Sequence, residues 1–532
     1  MRSLWGLPFA MKFTCIPRND ARARDLPSSS IMPNDAVPNS ALAGLEPQPA
    51  PVARERLDPQ PAPGNASEIA LSRANIQPLA EAVYDTQHVA QATEDATAHV
   101  AFYLGVRSKF TAALFASCAW FALTLAIALP WIAELSARIG TALALLCVGG
   151  IALVPGFMNA FLIASLLLDR RPPRKKPSRY PPVSILIAAY NEEASIADTL
   201  RSLANQDYPG AFEVIVIDDG SRDRTASIVD ACDQDWLRLV RQPANAGKAA
   251  ALNRGLGGAR YDLVVTLDAD SYLYRDALRN LVERYLADPP NTRAVAGTML
   301  VRNSRRNWVT RAQEWDYFHG IAAIKRVQSL YQGTLVAQGA FSIYERAALQ
   351  EVGGWSECVG EDIVLTWAML RKGWRVGHAE DACCFTNAPE SLHQFVRQRQ
   401  RWSRGMMEAF RKFPAILVKP RLSTLFVWWN LLFPWLDLAY TVFFIPGIVL
   451  ALFGIYWIAG PLTLALLPMA LCINYVMYRV GSQMFASNGL RVRRNLAGFL
   501  MYAFVYSLIL QPACVAGYFS EILGLRKTWG TK

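Results

Sequence analysis

The chain alternates between stretches that suit lipid and stretches that suit water, and this limits its fold more than any other feature. Apolar runs near 110–132 and 141–168 each hold the ~20 residues needed to cross a hydrocarbon core ~30 Å thick. The link at 133–138 is short and nearly uncharged, and Arg170-Arg171-Pro172-Pro173-Arg174-Lys175-Lys176 follows the second run. Lys and Arg beside spans mark the cytoplasmic side, so the N-terminal tail and everything after Lys176 are expected in the cytosol. Apolar character returns near 438–458, 461–479 and 497–519. Trp428, Trp429 and Trp435 make 422–436 read as interfacial, because aromatics favour that depth. Residues 420–525 are therefore expected to hold an interfacial helix and two to four spans. Two or four would keep the basic Arg526-Lys527 tail inside; three would not.

Composition agrees with a soluble domain diluted by lipid-facing helices. Charged residues make up 18% of the 532, below the usual ~25%, and apolar types reach 52%. The net charge of +11 gathers beside the apolar runs, as in Arg491-Val492-Arg493-Arg494, which argues against a nucleic-acid partner. The nine Cys are scattered without a C-x-x-C pair and fit reduced, buried thiols. Residues 1–105 carry Pro47-Gln48-Pro49-Ala50-Pro51 and Pro59-Gln60-Pro61-Ala62-Pro63. Such a segment buries too little apolar surface to offset its ordering entropy, so it is expected to be a disordered cytosolic extension.

Between the apolar regions, 180–415 reads as an α/β domain. Strands are expected at 183–188, 214–217 and 263–267, with helices at 194–204, 226–231 and 248–256 between them. Strand–helix alternation implies a parallel sheet with ligands near the carboxyl ends of its strands.

Acidic residues stand at those ends. The strand ending Ile217 runs into Asp218-Asp219-Gly220-Ser221, and the one ending Leu267 runs into Asp268-Ala269-Asp270. A lone D-x-D is most often a solvated turn, but two strand-end carboxylate sites in one domain favour a shared hard divalent cation with diphosphate oxygens. Tyr190-Asn191-Glu192 replaces the glycine-rich turn of a dinucleotide fold, and Gln242 stands where a P-loop needs its first Gly. Gly360-Glu361-Asp362 opens a helical run at 363–370, where an acid by itself reads as a helix cap. Gln398-Arg399-Gln400-Arg401-Trp402 is either a basic helix on headgroups or a fork for diphosphate beside a flat face for sugar.

Taken in order, Ala189-Tyr190-Asn191-Glu192, Asp218-Asp219-Gly220-Ser221, Asp268-x-Asp270, Gly360-Glu361-Asp362 and Gln398-x-x-Arg401-Trp402 resemble the processive family 2 glycosyltransferases. That family includes cellulose, chitin and hyaluronan synthases and the poly-N-acetylglucosamine synthases of bacterial biofilms. The likeness covers roughly 110–532. The run Gln338-Gly339-Ala340-Phe341-Ser342 to Gly353-Gly354-Trp355 is most similar to the biofilm enzymes.

The resemblance implies a GT-A type domain inserted between transmembrane helices of a multi-pass bacterial inner-membrane protein. Tyr190, Glu192 and Asp219 would hold uracil and ribose, with Asp218 in the same substrate-binding set and Lys248 near the nucleotide. Asp268 and Asp270 would position Mg2+ or Mn2+, and Asp362, beside Glu361, would be the general base. Gln398 and Arg401 would close over the nucleotide, Trp402 would stack beneath the acceptor sugar, and Gly339 would line the acceptor terminus. The implied partners are a UDP-sugar, above all UDP-N-acetylglucosamine, a growing glycan, the bilayer and a small membrane subunit. One departure is Gly360, where some synthases carry Thr. Lys527-Thr528-Trp529-Gly530-Thr531-Lys532 resembles the gating segment of hyaluronan synthases.

Two rivals stand beside this reading. A non-processive enzyme would move one sugar to a lipid carrier, but single-transfer relatives generally lack the Gln398–Trp402 pattern. An inactive scaffold or transporter would have no need of Asp268, Asp270 and Asp362.

Overall fold

The computed structural model describes residues 104–170, 176–460 and 490–526 except Arg493, together with 84–85 and short pieces between 471 and 486. The N-terminal extension lies outside the described residues save for Leu104–Gly105 and Tyr84–Asp85, the latter pairing through its backbone with Arg491–Val492. The tail at 527–532 and most of the run at 461–479 lie outside them too.

Among the described residues, four helices are long and apolar enough to cross a membrane. Two precede the α/β domain, α1 (Val106–Ile139) and α2 (Thr141–Leu168). Where 422–436 reads as an interfacial segment apart from a span at 438–458, one helical run, Thr424–Leu452, takes in both as far as Leu452. Pro434 is carried within it, and a π-turn follows at Tyr440–Phe444. A last helix covers Leu496–Ile522.

The domain between them is a single eight-stranded mixed sheet. Its strands are β1 (Val183–Ala189), β2 (Phe212–Asp218), β3 (Leu237–Arg241), β4 (Leu263–Leu267), β5 (Ser271–Leu273), β6 (Thr292–Val301), β7 (Phe341–Glu345) and β8 (Arg375–Thr386). In space they run β3-β2-β1-β4-β7-β6-β8-β5. The first four are parallel, and β7 enters antiparallel to β4. β1 and β4 are apolar on both faces and buried nearly throughout, as strands covered by helices must be. The three strands and three helices expected from the sequence all form, within about two residues at each end.

Chain order decides where a ligand can sit. After β1 the chain steps outward to β2 and β3, then returns to place β4 on the other flank of β1. The carboxyl ends of β1 and β4 therefore bound a topological switch point, where open α/β sheets leave a crevice. Three helices complete the surroundings: α3 (Lys248–Gly258), α4 (Glu361–Arg371) and α5 (Leu392–Lys412). The two long C-terminal helices become α6 (Thr424–Leu452) and α7 (Leu496–Ile522).

The α/β domain is fastened to the apolar helices by specific contacts. Phe161 of α2 packs edge-on against Phe110, Phe426 and Trp429 and tilts against Tyr331, so α1, α2, α6 and the domain share one core. At the end of α2, Asp169 accepts from Arg326 Nε at 2.6 Å, and Lys109 Nζ donates to Arg170 O at 2.9 Å. A buried acid held by an arginine fixes geometry, because removing either partner strands a charge in the core.

Candidate active site

The turn after β1 is braced against the turn after β2. Asn191, at a φ of 55°, accepts from Arg222 N at 2.9 Å through Oδ1, and its own N–H donates to Ser221 Oγ at 3.0 Å. Glu192 N donates to Thr225 Oγ1 at 2.8 Å. Tyr190 is left projecting, 42% exposed, while Glu192 is half-buried and accepts from Ser195 Oγ.

Asp218 and Asp219 are both buried. Asp218 Oδ1 accepts from Ser221 N at 3.2 Å and closes the turn. Asp219 spends both carboxylate oxygens on the next loop, accepting from Ala246 N and Gly247 N at 2.8 Å each. Gly220, at a φ of 72°, lets the two loops meet: a Cβ there would lie 2.8 Å from the Ala244 carbonyl carbon. Asp219 thus sets where α3 begins, and so where Lys248, the first residue of α3, is placed.

Lys248 is the hub. Its Nζ lies 2.5 Å from Asp268 Oδ1 and 3.7 Å from Glu361 Oε1. Burial works to lower its pKa, but Asp268 and Glu361 together outweigh that and raise it, so the ammonium stays charged. Gly339 is buried against this hub, and a Cβ there would sit 3.0 Å from Lys248 Nζ and 3.6 Å from Glu361 Oε1. Burial pushes the Glu361 carboxyl up to about 7, against the pull of Lys248 and Arg401 and with help from the Asp362 charge.

Asp362 stands in the first turn of α4, half-buried, its Oδ1 accepting from Ile363 N at 2.7 Å. The glycine before this pair has a tertiary reason to be there. A Cβ on Gly360 would lie 2.5 Å from the Cα of Gly405 on α5, and Gly360 N donates to Glu408 Oε2 at 2.9 Å. Threonine at 360 has no room in this chain.

α5 carries the remaining predicted residues. It begins with a capping box in which Ser391 accepts from Gln394 N. Gln398 is buried, Arg401 half-buried, and Trp402 is 41% exposed. Tyr317 links this helix to the strand ends. Its ring lies 6.4 Å from that of Trp402, and burial raises its pKa while the charges of Asp270 and Arg401 act on it.

Sequence reasoning missed Tyr317 and Lys325. Tyr317 opens a π-helical turn, Tyr317–Ala323, a kind of irregularity often found at functional sites. Lys325 is half-buried and within reach of the Asp362 charge; burial lowers its pKa to about 7. The aromatic run Trp315-Asp316-Tyr317-Phe318 was the visible signal for Tyr317. Nothing in the sequence pairs Lys325 with Asp362, thirty-seven residues away.

Among the described residues no three His, Cys, Asp or Glu side chains gather as a ready metal cage. Asp268 and Asp270 still fit a hard divalent cation of the kind that takes one or two carboxylates and completes its shell with phosphate oxygens and water. Both are only partly buried, at a turn closed by Ser271 N donating to Asp268 O at 3.0 Å.

Comparison with known proteins gives this architecture its class. Residues 184–353 match the family model described as Glycosyl transferase family 2, so the chain carries a family 2 glycosyltransferase domain. Among curated proteins it is similar to poly-beta-1,6-N-acetyl-D-glucosamine synthase of Staphylococcus epidermidis, 34% identical over 241 residues, 44% of this chain and 58% of that protein. The protein of the same name from Staphylococcus aureus is 34% identical over 226 residues, 42% of this chain and 54% of the relative. The chain thus spans a little over half the length of the curated relatives it matches. A solved mannosyltransferase from Pyrobaculum calidifontis, in complex with GDP-Man and Mn2+, is 21% identical with a TM-score of 0.47, covering 74% of this chain and 99% of that one.

Proposed function

We propose that the chain is a membrane-embedded, inverting glycosyltransferase that polymerises a β-linked polysaccharide from a UDP-sugar, UDP-N-acetylglucosamine first among them, on the cytosolic face. The single observation that carries this reading is the convergence of Asp362, the Glu361–Lys248–Asp268 chain of charges, and the Arg401–Trp402 middle of α5 at the switch point of a glycosyltransferase sheet. The relatives' printed names supply the proposed sugar and linkage.

Tyr190, Glu192 and Asp218 lie on the uridine side, and Asp219 acts there by shaping the 242–247 loop. A divalent cation held by Asp268 and Asp270 would neutralise diphosphate charge and favour its departure. Lys248 and Arg401 add fixed positive charge in the same place, which stabilises the leaving group where its charge develops. Asp362 takes the proton of the acceptor hydroxyl as that oxygen bonds to the anomeric carbon and the bond to diphosphate breaks. One displacement inverts the centre, so an α-linked donor gives a β-linked product and UDP. Gly339, lacking a side chain, lets Lys248 and Glu361 close in beside the acceptor end, with Trp402 as its platform. The apolar helices packed directly on the domain are proposed to conduct the polymer outward.

The test supplies membrane vesicles with radiolabelled UDP-sugars and sizes the product. Polymer in wild type and none in Asp362→Asn is expected. A product limited to a single-sugar glycolipid would refute polymerisation, and no incorporation from any UDP-sugar would refute the activity itself.

A further inference from the structure

Arg399 is not assigned any task above, yet it is among the most thoroughly enclosed charges in the domain, its side chain 5% exposed. Its guanidinium carbon lies 4.1 Å from the centre of the Trp402 ring and 4.9 Å from that of Phe395. The three residues are spaced i, i+4 and i+7 along α5, so one helix face stacks them as aromatic, cation, aromatic. Tyr506 of α7 borders the same guanidinium at 5.8 Å. The charge is answered by Asp316, whose Oδ2 lies 2.9 Å from an Arg399 terminal nitrogen. Asp316 closes the helix Trp308–Asp316, immediately before Tyr317.

We propose that Arg399 is a positioning residue that backs one face of Trp402, so that the indole offers a fixed single face to the acceptor sugar. The proposal rests on the acceptor role given to Trp402 above. Trp402 stays 41% exposed although one face is covered, and Tyr317 meets it at a 50° tilt rather than stacked. A planar guanidinium can lie flat between two rings while its edge reaches a carboxylate; an ammonium can keep the ion pair but not the stack. Asp316 therefore sets the plane of Arg399, and Arg399 sets the plane of Trp402.

That difference supplies the test. Arg399→Lys retains charge opposite Asp316 and loses the flat contact. The full chain in vesicles is assayed for UDP release, donor KM and polymer length with UDP-N-acetylglucosamine. Losing a desolvated cation–π contact is expected to shorten the product roughly tenfold in Arg399→Lys and Arg399→Gln alike, with donor KM within about twofold of wild type. Should both variants melt early, Asp316→Asn carries the test, with shortened polymer at unchanged donor KM expected. Wild-type polymer length in Arg399→Lys, or in Asp316→Asn where that variant stands in, overturns the proposal while leaving the synthase reading intact. A rise in donor KM matching the loss of length also overturns it, since the residue would then serve the nucleotide. Wild-type enzyme that makes no polymer overturns the synthase reading and this proposal with it.

Discussion

The strand side of the site and its helix side are held together in different ways. On the strand side, the turns after β1 and β2 and the loop before α3 are tied by hydrogen bonds from backbone N–H groups, the bonds between segments spanning 27 to 31 residues of chain. Asn191 and Asp219 satisfy backbone N–H groups of a neighbouring segment, and Asp218 closes its own turn. On the helix side, α4 meets α5 through two glycines, and α5 is locked to α7 by charges buried far from their partners in sequence. Arg404 Nε lies 3.2 Å from Glu521 Oε2, and its Nη2 donates to Leu525 O at 2.6 Å. These bonds hold the strand side without any contribution from the apolar helices. The helix side depends on where the apolar helices settle, so a change in those helices reaches Asp362, Arg401 and Trp402 first.

The largest effect expected from breaking this arrangement is on the base. Asp362→Asn should lower kcat by about 10²–10⁴-fold with the melting temperature unchanged, because it removes a proton acceptor and little packing. Radiolabel incorporation alongside thermal unfolding checks this.

Gly405→Ala probes the contact between α4 and α5. The added methyl meets Gly360 Cα at 2.7 Å, backbone that has nowhere to go. It should destabilise by about 1–3 kcal/mol and lower kcat roughly 100-fold by displacing Asp362 from Trp402. An alanine variant with wild-type kcat and melting temperature would show that the two helices are free to separate.

On the strand side, Asp219→Ala strands two backbone N–H groups and frees the loop before Lys248. About 1–3 kcal/mol of positioning is lost, so donor KM should rise by roughly tenfold or more with a smaller change in kcat. Equal losses in both would place Asp219 on the helix side of the comparison.

The smallest effect is in pH dependence, and it joins the two sides. Glu361 is pushed up to about 7 by burial and Lys325 is pushed down to about 7 by burial, and both act on Asp362. As pH rises through 7, Glu361 gains a negative charge and Lys325 loses a positive one. Both changes make the surroundings of the transferred proton more negative, so kcat should climb a few-fold between about pH 6 and 8. Glu361→Gln should flatten part of that climb, and Lys325→Met the remainder. A profile left unchanged by both substitutions would remove these groups from the reaction.

The amino-acid sequence by itself determined the strands and the acids at their ends. Apolar runs ending in Asp218-Asp219 and Asp268-Ala269-Asp270 declare buried strands with carboxylates at their ends, since burial pattern and turn chemistry are local properties. It determined equally that long apolar helices flank the domain, because crossing lipid needs about 20 apolar residues in a row. It could not show that Gly360 faces Gly405, that Asp219 shapes the loop before Lys248, or that Arg399 lies against Trp402 under the control of Asp316. Nor could it join 422–436 to 438–452 as one helix. Those facts depend on which surfaces meet when helices pack, and contacts between residues tens or hundreds of positions apart leave no periodic trace along the chain. The tertiary structure decided them through close packing, which admits a glycine at one crossing and a guanidinium between two rings at another.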